Sequence, residues 1–143
     1  TKVLTAEISG IAPALTTALA LGVPVVYGRK TKPITMPENI FVASAPSHTK
    51  GKEVQLMVSP EFLNEHDKVL IIDDFLATGH TIMALIHLAE QAGAEVLGVG
   101  AVIEKSFEGG RARLEARGLR VRSLAVIKAM TDDEIIFAQG VSP

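Results

Sequence analysis

Short apolar runs alternate with longer segments of helical periodicity along most of the chain. The strand-like runs are Val3–Ile8, Val23–Tyr27, Lys68–Asp74, Val96–Ile103 and Val121–Ile127. The predicted helices are Ala12–Leu21, Thr81–Ala92 and Glu108–Arg117, and Gly22 and Gly118 end the first and the last of them. Strands that alternate with helices of this length indicate βαβ units, so we predict an α/β fold with a central parallel sheet flanked by helices.

Residues 29–60 interrupt this alternation. The stretch RKTKPITMPEN contains two prolines and several polar residues, which predict a loop. IFVASAP and KEVQLMVS then predict two strands of an inserted antiparallel hairpin, joined by the polar tip SHTKG. Long insertions in a compact domain are usually functional. Near the end of the chain, DEIIFAQ predicts a short edge strand.

Composition supports a buried sheet in one domain. The 143 residues are enough for a single domain, which we assign to 1–143. The hydrophobic fraction is 48% but aromatic residues are only 4%, so Val, Ile, Leu and Ala must form most of the core. That core is typical of parallel strands buried on both faces.

The net charge and the absence of cysteine reduce the number of functional classes to consider. The net charge of −2, from 14 basic and 16 acidic residues, is not that of a nucleic-acid-binding surface. The absence of cysteine excludes thiolate chemistry and agrees with a cytoplasmic location. No apolar run reaches the ~20 residues needed to span a membrane. Because TKVLTAEISG enters a strand pattern almost at once, we expect the chain to be an N-terminally truncated core.

The stretch VLIIDDFLATGHT, Val69–Thr81, carries the strongest chemical signal. Two adjacent carboxylates, Asp73 and Asp74, follow an apolar strand, and a small segment with one glycine leads into a helix. Ligands of open α/β sheets bind beyond the carboxyl ends of the strands, and a helix N-terminus attracts anions. With the Thr78 and Thr81 hydroxyls, this predicts a phosphate site beside carboxylates that suit a diol. The alternative is that the aspartates cap a turn and Thr81 caps the helix.

This stretch resembles the 5-phosphoribosyl diphosphate (PRPP) signature of the type I phosphoribosyltransferases, and it differs from a Walker loop and from a dinucleotide-binding fingerprint. The resemblance implies that Asp73 and Asp74, the candidate catalytic residues, contact the ribose hydroxyls directly or through Mg²⁺. It implies that the 5-phosphate is bound by Ala77, Thr78, Gly79, His80 and Thr81. His80 stands where many members of the family have glycine.

Two further segments match the family on the diphosphate side. EISGIAP after the first strand resembles the diphosphate loop, which implies that Glu7, Ser9 and Gly10 line the PRPP side of the cleft. Arg29 and Lys30 end the second strand, where family members neutralise diphosphate. An ordinary turn and a solvated cation pair are the alternatives. The hairpin tip, Ser47–Lys50, occupies the position of the family's flexible catalytic loop.

The base is indicated by a different stretch. VIEKSFEGGR, together with the later GLRVRSLAVI, resembles the xanthine branch of the family in bacteria. The resemblance implies that Lys105 and Phe107 face the purine; the alternative for Lys105 is a plain exposed lysine. It also implies phosphoribosyl transfer from PRPP to xanthine with Mg²⁺, giving xanthosine 5′-monophosphate and diphosphate, a homodimer, and an upstream hood that contacts the base.

Three other functions remain open at this point. The base could be guanine, hypoxanthine or adenine, which keeps the enzyme class and changes the substrate. The chain could be a PRPP-binding regulator of the purine-repressor type, which shares the fold but does not need a lysine that contacts a base. It could also be a plain structural module, which the two candidate ligand loops disfavour.

Overall fold

The computed structural model describes residues 1–46 and 53–138, and its centre is a six-stranded sheet. The strands are β1 (Lys2–Ala6), β2 (Val25–Gly28), β3 (Phe41–Pro46), β4 (Glu53–Val58), β5 (Lys68–Leu76), β6 (Glu95–Lys105), β7 (Val121–Met130) and β8 (Ile135–Phe137). The helices are α1 (Ile11–Leu21), α2 (His80–Ala92) and α3 (Gly110–Glu115), and a 3₁₀ turn covers Ser106–Glu108.

The sheet has the order β2-β1-β5-β6-β7-β8. The first five strands in this order are parallel, and β8 pairs antiparallel with β7. The predicted insertion is a separate antiparallel pair, β3–β4, joined to the end of β2 by a bridge between Arg29 and Met57. The predicted fold class is therefore confirmed. The predicted hairpin tip, Ser47–Lys50, lies outside the described residues.

Helices cover both faces of the sheet. Val3 and Ile72 pack with Ala14 and Ala18 of α1 on one face. Adjacent strand residues point to opposite faces, so Leu4 and Ile71 belong to the core on the other side, where α2 and the hairpin pack. Burial on both faces explains the continuous apolar runs of β1 and β5. No helix in the described part of the chain is long and apolar enough to cross a membrane.

Several element boundaries differ from those predicted. β5 continues to Leu76, because Phe75 and Leu76 pair with Ile103 and Glu104 of β6, so the two aspartates lie within the strand instead of ending it. The predicted helix Glu108–Arg117 is shorter. Gly109 adopts φ = 77°, a left-handed conformation, and separates the 3₁₀ turn from α3.

Candidate functional site

A cleft of about 200 Å³ opens at the carboxyl edge of β1 and β5. It brings together residues that the sequence had placed in separate motifs. Its lining consists of Ala6, Glu7, Ser9, Lys30, Asp73, Asp74, Phe75, Ala77, Thr78, Gly79, His80, Thr81 and Ile82. Most of the predicted PRPP residues are thus in one cavity, because β1 and β5 are neighbours and their loops leave the sheet on the same edge.

The two aspartates have different environments. The Asp73 carboxylate is buried, with 6% of the residue exposed, and its Oδ1 accepts a hydrogen bond from the Asp74 backbone N–H over 3.1 Å. Burial, and then the neighbouring Asp74 charge, raises the pKa of Asp73 to about 7. Asp74 is only partly buried. The pair therefore consists of one inner carboxyl group that resists ionisation and one outer carboxyl group that is more accessible.

The predicted phosphate loop is the segment Ala77–Gly79 before α2. Gly79 adopts φ = 80°, which lets the chain turn directly into the helix at His80. The Thr78 hydroxyl lies 3.1 Å from Nδ1 of His80, so the His80 side chain contacts the loop. Since the thirteen-residue helix α2 begins here, its N-terminal N–H groups and dipole favour an anion in the cleft.

The loop after β1 packs directly against the acidic pair. Gly10 has an ordinary φ of −67°, so its glycine is required by space and not by backbone conformation. A Cβ at this position would lie 2.4 Å from Oγ1 of Thr5 and 2.8 Å from Oδ1 of Asp73. Glu7 and Ser9 line the cleft beside it, and the Glu7–Ile8 peptide bond is cis. Gly10 therefore lets the diphosphate-side loop approach the buried carboxyl group.

The two cations predicted for the diphosphate differ in position. Glu7 accepts a hydrogen bond from the Lys30 backbone N–H over 2.6 Å, and its Oε2 lies 3.0 Å from Nε of Arg29. Lys30 lines the cleft, whereas Arg29 lies 5.9 Å from the Tyr27 ring centre and lines a second cavity with it. Lys30 is thus the cation that the structure brings to the PRPP residues.

Neither predicted base residue, Lys105 or Phe107, lines the cleft, but Lys105 lies beside Phe75, which does. Nζ of Lys105 is 5.9 Å from the centre of the Phe75 ring and 3.8 Å from a Glu108 carboxylate oxygen. Phe107 is about half exposed, at 52%. Phe75, which lines the cleft and is 44% exposed, was not singled out from the sequence because it occupies a variable position of the PRPP signature. The one sequence feature that could have indicated Phe75 as a cleft residue is its position directly after Asp74 on β5.

An ion pair between buried Glu104 and partly buried Arg111 lies next to Lys105 in the chain, and no sequence motif indicated it. Glu104 is 1% exposed, and Arg111 donates to its two oxygens over 2.8 and 2.6 Å. Ser123 donates to it as well, over 2.6 Å. Burial alone would raise the pKa of Glu104, but the hydrogen bonds from Arg111 and Ser123 outweigh it and lower that pKa. The pair fixes α3 to the end of β6.

The donors available to a metal are few. Among residues 1–46 and 53–138, no group of three or more His, Cys, Asp or Glu side chains could hold a metal ion. Mg²⁺ is commonly held by one or two carboxylates together with water and substrate phosphates. The Asp73–Asp74 pair fits this kind of binding, since its oxygen ligands face a cleft with room for a phosphorylated substrate.

Comparisons with known proteins agree with this geometry. The family model for the phosphoribosyl transferase domain matches residues 2–139. A protein of Pseudomonas entomophila named xanthine phosphoribosyltransferase is 51% identical over 139 residues, which are 97% of this chain and 73% of that protein. A protein of the same name from Deinococcus deserti is 52% identical over 132 residues, or 92% of this chain and 68% of that protein.

Solved structures give the same result at the level of the fold. The adenine phosphoribosyltransferase of Rhodothermus marinus superposes with a TM-score of 0.77 at 31% identity, covering 89% of this chain and 69% of that one. The enzyme from Giardia lamblia, solved with 9-deazaadenine, gives a TM-score of 0.78 at 29% identity, covering 91% and 71%. With its sheet order, its inserted hairpin and its PRPP signature, the chain belongs to the type I phosphoribosyltransferase family.

Proposed function

We propose that the protein transfers the 5-phosphoribosyl group of PRPP to xanthine, giving xanthosine 5′-monophosphate and diphosphate. The observation that carries this proposal is the cleft in which the acidic pair, the phosphate loop and the loop after β1 meet, with Lys105 beside Phe75 of its lining. The roughly 50% identity to proteins named xanthine phosphoribosyltransferase supports the choice of base.

PRPP binding follows from the order of groups around the cleft. The 5-phosphate binds in the loop Ala77–Gly79 and at the start of α2, where backbone N–H groups and the helix dipole favour a dianion. The ribose hydroxyls bind the acidic pair, with Asp74 as the more accessible acceptor. The diphosphate lies on the side of Glu7, Ser9 and Lys30, which line the same cleft.

Catalysis in this cleft consists of positioning and charge neutralisation. Cleavage of the bond between ribose C1 and diphosphate places positive charge on the ribose while the leaving group gains negative charge. The carboxylate of Asp74 stabilises the ribose side and the ammonium of Lys30 the leaving diphosphate. Fixing both ends of PRPP removes much of the entropic barrier to attack by the base. Asp73 and Asp74 are the residues that would hold Mg²⁺ together with the substrate, and the ion would supply positive charge to neutralise the diphosphate.

Base recognition depends on Lys105 and on aromatic rings near it. The Lys105 ammonium is a donor that suits the oxo groups of xanthine, whereas adenine offers it no oxo group. Phe75 and Phe107 are the exposed aromatic rings nearest in sequence to the acidic pair and to Lys105, and either ring offers a face for stacking on a purine. The adenine enzymes among the solved relatives share the fold, so fold alone does not select the base.

The test is PRPP-dependent consumption of purines by the purified protein. Xanthine, guanine, hypoxanthine and adenine are each incubated with PRPP and Mg²⁺, and the nucleoside monophosphate and diphosphate are measured. We expect xanthine to have the highest kcat/KM. Turnover of another purine with no turnover of xanthine would overturn the base assignment. PRPP binding without turnover of any purine would favour the regulator instead. A homodimer, which rests on the family resemblance, and a cytoplasmic location, which agrees with the absence of cysteine, are further parts of this proposal.

A further inference from the structure

The start of α3 packs against the phosphate loop and binds two of its carbonyl groups in succession. The Gly110 backbone N–H donates to the carbonyl oxygen of Ala77 over 3.0 Å. Nη1 of Arg113 donates to the carbonyl oxygen of Thr78 over 2.6 Å. Neither Gly110 nor Arg113 lines the cleft that the phosphate loop faces. The loop therefore has the cleft on one side and α3 on the other.

These two hydrogen bonds orient the N–H groups of the loop. A trans peptide is planar, so its carbonyl oxygen and the N–H of the following residue point in opposite directions. When the Ala77 carbonyl is held by Gly110, the Thr78 N–H points away from α3. When the Thr78 carbonyl is held by Arg113, the Gly79 N–H also points away from α3. Two consecutive amide dipoles are thus fixed in the direction suited to an anion in the cleft.

The contact between α3 and the phosphate loop requires a glycine at position 110. A Cβ on Gly110 would lie 2.3 Å from the carbonyl oxygen of Ala77 and 3.0 Å from the backbone N of Gly79. Both atoms belong to the backbone of the phosphate loop, so a side chain could be accommodated only by moving that loop. Gly110 is the first residue of α3, and its lack of a side chain allows α3 to touch the loop directly.

Helix α3 is also fixed to the end of β6, the strand that carries Lys105. Arg111, between Gly110 and Arg113 on α3, makes the bidentate pair with buried Glu104. Glu104 immediately precedes Lys105 at the end of β6. The segment Gly110–Arg113 therefore joins the strand that carries the proposed base-binding lysine to the loop that carries the proposed phosphate site.

We propose that Arg113 is a positioning residue for the 5-phosphate of the substrate. It does not touch the substrate but holds the Thr78–Gly79 peptide in the orientation that binds a phosphate. The identity of the ligand, a ribose 5-phosphate group, rests on the proposed function. The carbonyl contact itself does not depend on which purine is used. Arg113 should therefore affect binding of the phosphate end of PRPP and leave the diphosphate side unchanged.

The experiment compares two probes on three variants by isothermal titration calorimetry. Ribose 5-phosphate reports the phosphate loop, and inorganic diphosphate reports the opposite side of the cleft. Arg113→Met keeps an unbranched, flexible side chain but removes the donor, and we expect it to raise the Kd for ribose 5-phosphate about tenfold, the low end for a hydrogen bond from a charged group. The Kd for diphosphate should change less than twofold, and Arg113→Lys should restore part of the lost affinity.

Arg117→Met is the matched control, since Arg117 lies shortly after α3 and pairs with Glu90 away from the loop. It should leave both dissociation constants unchanged. Equal ribose 5-phosphate affinity in the wild type and Arg113→Met would overturn the proposal, and so would an equal loss of affinity for both probes. Because neither probe requires a purine, a protein without xanthine turnover would still test the role of Arg113, and the two proposals can fail separately.

Discussion

The backbone N–H of Asp74 donates to Oδ1 of Asp73 over 3.1 Å, so one member of the acidic pair already has a partner within the chain. The two carboxylates are adjacent in sequence, yet Asp73 is buried and Asp74 faces the cleft more openly. Alternation along β5 would place neighbouring side chains on opposite faces. The pair therefore divides into an inner, buried carboxyl group and an outer, more accessible one, and we propose the outer one as the main contact to the substrate.

Asp73 should make stability depend on pH. Its pKa of about 7 in the folded protein exceeds the unfolded value of 3.8, so the folded state binds more protons between these two values. The stability that this group contributes is complete below about pH 3.8 and is lost as the pH rises through 7. Asp73→Asn removes this dependence and can still accept the Asp74 N–H.

The measurement for Asp73→Asn is urea unfolding at pH 5 and pH 8. We expect the variant to gain stability relative to the wild type at pH 8, on the order of 3 kcal/mol, and less at pH 5. A stability difference that is the same at both pH values would show that the wild-type carboxyl group does not titrate in this range.

Substitutions at Asp74 and Lys105 should separate the two substrates. Asp74→Asn removes the charged acceptor for the ribose hydroxyls, and we expect kcat/KM for PRPP to fall about 30- to 100-fold. Lys105→Ala should change the KM for PRPP much less and shift the preference among purines. Steady-state kinetics with each substrate varied in turn measures both effects. Equal losses in PRPP use by the two variants would contradict the separation of ribose and base sites.

Gly10→Ala should disturb the acidic pair through a steric clash. The added methyl group would meet Oγ1 of Thr5 and Oδ1 of Asp73, both of them buried. Overpacking of this kind costs about 1–3 kcal/mol, and displacement of Asp73 should also reduce PRPP affinity. Thermal unfolding and PRPP titration measure the two effects.

A second substitution provides the control for Gly10→Ala. The Thr5 hydroxyl is buried without a hydrogen-bond partner among the described residues, so Thr5→Ala makes room at little cost in hydrogen bonding. The double variant should recover part of the stability that Gly10→Ala loses. No recovery would mean that the loss comes from the loop backbone and not from contact with Thr5.

Glu104→Gln should be strongly destabilising. It removes the buried charge that Arg111 binds and leaves Glu115 as the remaining charged partner, and losing hydrogen bonds to a charged group costs about 1.5–3 kcal/mol. The lowered pKa of Glu104 means that its contribution is present above the unfolded value of 4.5 and is lost as the pH falls through the folded value. Arg117→Ala, which breaks an exposed pair with Glu90, should cost less than about 1 kcal/mol. Similar melting temperatures for the two variants would contradict this ranking.

The order of strands and helices along the chain could be predicted from the sequence, and so could a phosphate-binding chemistry for the loop Ala77–Gly79. Hydrophobic periodicity and the positions of glycines depend only on residues close together in the sequence. The predicted positions of β1, β5 and α2 are therefore close to the observed ones. The signature Val69–Thr81 carries its site within thirteen consecutive residues, and such a motif needs no knowledge of distant contacts.

The burial, the charge state and the long-range partners of the site residues became visible only in the folded structure. The pKa of Asp73, the distinct positions of Arg29 and Lys30, and the Glu104–Arg111 pair depend on burial and on partners far away in sequence. From the sequence alone, Arg113 is expected to be an ordinary exposed residue of a charged helix. Its bond to Thr78, 35 positions away, exists because the sheet places α3 beside the phosphate loop, and no local pattern encodes that proximity.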